Sequence, residues 1–208
     1  MKKALRLAVP AVLAAAGILA LLLAIDVHLW QGSLPRDDVR FRANPFDRSL
    51  WREDEVLPFG LARQALGVDD DIAFRQALRL VRLSHPHDLS FFQSSRSALR
   101  GESQIALLRV ATLDSEPRRR SLALNLLGGL GFAAAAADET TRVQGLQESV
   151  AAFQAAIADN PANDDAKYNL ELALSRLHAA QAVFGPNQSA ANSQFGKGAG
   201  AGEPGTGY

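Results

Sequence analysis

The sequence predicts an all-α protein, a short stack of antiparallel helical hairpins behind one amino-terminal transmembrane helix. Three observations predict it. Residues 7–25 form an uninterrupted uncharged run that opens on Leu7 and closes on Ile25. Beyond that run alanine, leucine and arginine dominate, with few aromatics and few β-branched stretches, a composition that favours helix. Apolar residues also recur at helical spacing on both sides of Pro161, so two amphipathic helices meet at a turn marked by proline.

The apolar run comes first. Its nineteen residues, at 1.5 Å each, span about 28 Å, close to the hydrocarbon thickness of a bilayer. Lys2, Lys3 and Arg6 precede it and Asp26 follows it. The positive-inside bias therefore places the amino terminus in the cytoplasm and the remainder outside the plasma membrane. Pro10 lies near the start, where a membrane helix tolerates it, and Trp30 stands where an interfacial aromatic would sit. The rival reading is a cleaved signal peptide. Ala14 and Ala16 have the small-residue spacing of a cleavage site, but they lie inside the run, and Leu22 spoils the pair with Ala24 at its end. Residues 1–30 thus read as a cytoplasmic stub and anchor. Residues 31–57 mix both charge signs with Pro35, Pro45, Phe41, Phe46 and Trp51 and show no long period. They read as an extracytoplasmic linker with a short extended piece around Val39 and Phe41, packing its aromatics on the domain.

The clearest hairpin spans residues 146–177. Leu146, Val150, Phe153 and Ile157 lay one apolar stripe along a helix that Pro161 ends. Asn163, Asp164 and Asp165 offer capping oxygens and first-turn negative charge to a second helix, whose stripe is Ala166, Leu170, Ala173 and Leu177, with Leu174 beside it. The order Ala-x-x-Phe-x-x-Ala, Asn-Pro, Ala-x-x-Asn-Leu resembles the junction between two tetratricopeptide repeats, with Phe153, Ala156, Pro161 and Leu170 at the landmark positions. Ser149 and Glu171 depart from the pattern, which expects small residues there. More narrowly, N-P-A-N-D-D-A-K-Y-N-L-E-L-A-L is similar to segments of membrane-anchored repeat proteins encoded beside MoxR-type AAA+ ATPases and von Willebrand factor A (VWA) proteins, the Bat-like gene clusters. That resemblance covers mainly residues 152–177. It implies degenerate tetratricopeptide-like repeats over residues 58–184 and a protein-holding role in envelope stress or enzyme maturation.

The repeat logic extends backwards through the prolines. Leu61 and Ala62 precede Pro86 at the repeat interval; Gly67 and Asp69 to Asp71 make the turn, and Phe74, Ala77, Leu78, Leu80 and Val81 face the partner helix. A second pair, broken at Gly101, fills residues 88–113, with Phe91, Phe92, Ile105, Leu108 and Thr112 expected inward. A third covers residues 118–158 and turns near residues 138–141, and the helix from Asn163 caps the stack. Residues 121–137 are also uncharged, but Asn125 and three glycines weaken them as a span. Gly128, Gly129 and Gly131 are read as letting helices approach. Residues 185–208, rich in glycine, serine, asparagine and alanine, form a flexible tail.

The formal net charge is zero, and discounting Lys2, Lys3 and Arg6 leaves a mildly acidic body with no electrostatic reason to bind nucleic acid. Cysteine is absent, which removes disulfides, thiolate metal sites and cysteine nucleophiles. No G-x-S-x-G, H-E-x-x-H or phosphate-binding glycine loop occurs, so neither catalytic residues nor a cofactor is assigned. Asp69 to Asp71 read as a helix start rather than a calcium loop, and Arg118 to Arg120 as a solvated run or a grip for an acidic partner. His85, His87 and Asp88 form a capped turn in the bland reading and part of a metal site in the other; no third and fourth ligand follows. The resemblance puts Asn169, with Tyr168 beside it, on the groove face of the repeat, where asparagines bind extended peptides. The alternative is that Asn169 ties the hairpin's own backbone. Asn125 and Arg96 join the same surface. Three functions stay open: a non-enzymatic membrane scaffold for a protein partner such as a VWA-domain membrane protein, an envelope metal-delivery factor or enzyme using His85, His87 and Asp88, and a subunit that only braces a membrane complex.

Overall fold

The computed structural model describes residues 2–52, 55–84 and 93–184. Within them the chain is helical, without strands. In order come α1 (Lys2–Ala43), a 3-10 turn (Pro58–Gly60), α2 (Leu61–Leu66), α3 (Asp69–Ser84), α4 (Gln93–Leu113), α5 (Pro117–Ala137), α6 (Arg142–Asp159) and α7 (Asp164–Phe184). The His85, His87 and Asp88 turn and the glycine-rich tail lie outside the described residues.

α1 is long and apolar enough to cross a membrane, and only 6% of its apolar window is buried. Val12, Leu13, Ile18 and Leu21 are all more than half exposed, as a lipid-facing surface requires. The helix does not stop where the apolar run stops. It continues to Ala43, so residues 31–43 are helical and not an extended linker. The reason the sequence hides this is the chemistry of the inward face. Asp26, Trp30, Ser33 and Asp37 recur at intervals of four, three and four, and all are buried. Three of these four are polar, and the apolar residues beside them that pack on the core, Leu23, Leu34 and Phe41, are only partly buried and widely spaced, so the helical period is easily missed.

What that stripe holds is a strap, described over residues 44–52 and 55–57, which folds back along α1. The buried Asp26 carboxylate accepts the backbone N–H groups of Val56 at 2.7 Å and Leu57 at 2.8 Å. Asp37 accepts the Trp51 backbone N–H at 2.6 Å, and Asp38 the Trp51 indole N–H at 2.9 Å. Trp51 sits at φ 55°, a left-handed conformation uncommon for a bulky residue. Both its N–H groups are bound there, and its ring packs on Phe41 with centroids 5.2 Å apart. Trp30, expected at a membrane interface, is instead 2% exposed and donates its indole N–H to Glu55. It belongs to a core with Leu50, Trp51, Ala62 and Ile72.

Arg75 of α3 forks onto both oxygens of Asp38 at 2.9 and 3.1 Å, and Arg79 donates to the Pro45 carbonyl. Burial raises the Asp38 carboxyl, but Arg75, the Trp51 indole and the charge of Arg42 outweigh it and hold the group below the ordinary carboxylate value. The strap, α1 and α3 are thus one unit.

Two further cores continue the stack. Ala77 and Val81 of α3 meet Leu107 and Val110 of α4 and Ala123 and Leu130 of α5. Ala135 of α5 meets Leu146 of α6 and Leu177 and Ala180 of α7. Gly67, at φ 63°, ends α2 and sends its N–H back to the α2 carbonyls, making the expected turn into α3. The expected pair broken at Gly101 is a single helix from Gln93 to Leu113; one interior glycine costs about 1 kcal/mol, which packing along α4 overcomes. Its phase also differs from expectation. Ile105 and Leu108 are 72% and 57% exposed and Thr112 is exposed, while Ser103, Leu107, Val110 and Asp114 face inward. Apolar residues lie on two opposite faces of α4, and spacing alone does not say which meets the core; Phe91 and Phe92 lie outside the described residues.

The α5–α6–α7 region follows the expected hairpins. The turn between α5 and α6 falls at residues 138–141, with Asp138 accepting from Thr140 and Thr141. Asn163 caps α7 by accepting the Ala166 N–H, and its amide donates to Ser121, whose hydroxyl donates to the Ala156 carbonyl. Two glycines bring α5 against α6: a Cβ on Gly128 would lie 2.5 Å from the Phe153 ring, and one on Gly131 would lie 2.9 Å from the Ser149 hydroxyl. Gly129, expected to do the same, is exposed with open space around it. α5 also meets a membrane span's length and apolarity, yet it packs against α4, α6 and α7.

Two outcomes are expected. Asp26→Ala leaves two backbone donors unpaired and should weaken strap docking by about 3 kcal/mol, since each unmet buried group costs about 1–3. Trp30 and Trp51 are the only tryptophans and both lie in that core, so intrinsic fluorescence should shift to the red. An unchanged emission maximum would show that the carboxylate does not hold the strap. Gly128→Ala should cost about 2 kcal/mol by overpacking against Phe153, and Phe153→Ala about 3–5 by leaving a cavity. Urea midpoints read both, with exposed Gly129→Ala as the neutral or stabilising control.

Candidate partner-binding groove

α5 and α7 lie side by side across α6 because the Gly128 and Gly131 contacts sink α6 against α5 and the Asn163 knot fixes where α7 starts. The two faces that look at each other carry Asn125, Phe132 and Ala136 on α5, and Asn169, Arg176 and Ala180 on α7. On each helix these residues recur within one face.

At one point along this seam the Asn169 amide donates to the Asn125 side-chain oxygen at 3.0 Å. Two of the four expected partner-binding residues therefore meet, and they meet each other. Asn169 ties neither its own hairpin backbone nor an open groove wall; it links α7 to α5. Tyr168 is 68% exposed on the outer side of α7 and takes no part in the pair. Arg96 lies on α4, away from this seam, with its side chain outside the described residues.

Seven residues beyond Asn125, about 10 Å along the helix, the seam opens into a cleft of about 440 Å³ lined by Phe132, Ala135, Ala136, Leu146, Ala179 and Ala180. Arg142 from the first turn of α6 and Arg176 from α7 complete the wall. Arg142 reaches the exposed Glu139 at 3.3 Å; Arg176 makes no ion pair among the described residues. An apolar floor with two cationic side chains suits a segment that offers an apolar side chain beside a carboxylate. Sequence reasoning missed both arginines. The signal available was spacing, since Arg176 follows Asn169 by seven residues on the same face.

Other expected sites are used internally. Arg119 forks onto Asp114 at 2.7 and 2.9 Å, and Arg120 pairs with Asp159 at 3.0 Å, so two members of the arginine run hold the α4–α5 and α6–α7 corners together. Arg118 is exposed. Asp69 and Asp71 pair with Arg63 and Arg75, and Asp70 accepts the backbone N–H and hydroxyl of Ser115. Among the described residues no group of three or more histidines and acids is placed to hold a metal. No family model matches the chain, and no curated protein or solved structure does either.

The Asn125–Asn169 bond has a measurable worth. Asn125→Ala and Asn169→Ala should each cost about 1 kcal/mol, with the double variant little worse than either, giving a coupling near 1 kcal/mol. Strictly additive urea midpoints would show that the two amides do not interact.

Proposed function

We propose that this protein is a non-enzymatic membrane-anchored scaffold that holds another protein in the α5–α7 groove. The observation that carries the reading is the cleft itself, apolar along Phe132, Ala136, Leu146 and Ala180, with Arg142 and Arg176 in its wall. Scaffolds that recognise peptides combine such a floor with a few placed polar groups, which set orientation. The anchor supports it too. α1 runs unbroken from its apolar half into the strap, so the groove is carried at a fixed place relative to the span. With Lys2, Lys3 and Arg6 on the near side, the stack faces outward across the plasma membrane. In the setting that the sequence around Pro161 resembles, the partner is a VWA-domain membrane protein of a MoxR-type assembly, and the occupant an acidic, apolar segment of it.

One observation favours the bracing-subunit reading. Asn125 and Asn169 bond to each other, which commits one donor of Asn169 and the oxygen of Asn125 to holding α7 on α5. A photo-crosslinking residue at Ala136 separates the two. In native membranes it should trap a discrete protein that the same residue at exposed Gln76 of α3 does not. Arg142→Glu with Arg176→Glu should reduce that product about ten-fold without lowering the melting temperature. Equal products from both positions, or no response to charge reversal, would overturn the groove reading.

A further inference from the structure

The face of α4 that points away from the core is uncharged for four turns. Ala98, Gly101, Ile105, Leu108 and Thr112 follow one another at intervals of three, four, three and four, opposite the buried Ser103, Leu107 and Val110. This is the spacing of a coiled-coil seam, with Ala98, Ile105 and Thr112 at the a positions and Gly101 and Leu108 at the d positions. A solvent-facing helix surface normally places charge there. Here Ile105 is 72% and Leu108 57% exposed, and a Cβ on Gly101 would meet nothing within 4 Å. The charged residues stand to one side, Glu102 and Arg109 both at e positions. Neither makes an ion pair among the described residues.

We propose that this face is the self-association surface of the protein, and that its occupant is α4 of a second copy, packed in parallel about a two-fold axis. Two features select that occupant, and the flanking charges are compatible with it. A β-branched residue at a with leucine at d favours two parallel strands, and Ile105 over Leu108 is that pair. In parallel register each residue meets its own counterpart. Arg109 then falls opposite Gln104 of the second copy and Glu102 opposite its Ser97, so no like charges face each other.

The anchor gives the second. Asp38 of α1 meets Arg75 of α3, and Phe41 further along meets Arg82 further along, so α1 and α3 run the same way. Asp70 near the start of α3 binds Ser115 just after α4, so α4 runs back towards the membrane. Two copies anchored in one bilayer therefore present their α4 helices side by side in parallel, whereas an antiparallel pair would point their anchors apart. Confinement in one bilayer also raises the effective concentration of a seam that is short on its own. The surface is separate from the α5–α7 groove; its parallel direction rests on the membrane-anchored part of the proposed function, whereas its existence rests on the α4 face alone.

The chain has no cysteine, so the test is direct on the full-length protein in membranes. Ile105→Cys and Leu108→Cys should each oxidise to a disulfide-linked dimer, at least ten-fold more than Gln76→Cys on exposed α3. Ile105→Lys should abolish the dimer in gentle detergent while leaving the melting temperature unchanged, because the position lies outside the core. Membranes holding two differently tagged chains, one Ile105→Cys and one Leu108→Cys, report the direction. Mixed products exceeding both self-products would mean antiparallel pairing and overturn the proposal. So would no crosslinking above the Gln76→Cys control, or a product at the mass of a different protein.

Discussion

A carboxylate buried directly beyond an apolar run must find hydrogen-bond donors inside the protein, and Asp26 finds two in the backbone of Val56 and Leu57. This constraint organises the amino-terminal half. It requires the chain to return along α1 after Ala43, which brings Trp51 to Asp37 and Asp38 and Glu55 to the Trp30 indole. Those acids in turn engage Arg75 and Arg63 of the stack. A helix whose first half is long and apolar enough to cross a membrane thus becomes, in its second half, the first wall of the folded domain.

From there the stack grows by shared helices. α3 contributes Ile72 to the core around the tryptophans and Ala77 and Val81 to the next; α5 contributes Ala123 and Leu130 to that one and Ala135 to the last. Each shared helix couples its neighbours, so the groove between α5 and α7 is tied through α4 and α3 to the anchor. The tightest step is α5 on α6, where glycine replaces side-chain volume and Phe153 fills the space. Polar corners at Asp114, Ser121 and Asn163 then fix the turns.

Legibility in the sequence follows how each face is built. Where a helix buries alanine, leucine and phenylalanine at regular spacing and ends at proline, as α6 does, period and boundary could both be read, and Phe153 is buried as its stripe requires. Where the fully buried positions are mostly polar, as on the second half of α1, the apolar period is sparse, Leu23, Trp30, Leu34 and Phe41 being interleaved with Asp26, Ser33 and Asp37, and the segment looks like a linker. α4 misleads differently, because it has two apolar faces and nothing local says which meets the core. The groove was half legible. Asn125 and Asn169 do face the same seam, but pairing across 44 residues is a tertiary fact. Arg142 and Arg176 converge only once three helices are assembled.

The unbroken course of α1 also has a mechanical meaning. With no flexible joint between span and strap, the domain cannot swivel independently of its anchor; the two form a single lever. Inserting or deleting one residue between the apolar run and Asp26 would turn everything beyond it by about 100° and move it about 1.5 Å along the helix axis. In the membrane-anchored arrangement proposed above, the length of the span would set the compass bearing at which the stack meets its neighbours in the plane of the bilayer. In that arrangement, sliding of the helix in lipids of different thickness would appear at the far end as a change of height above the surface.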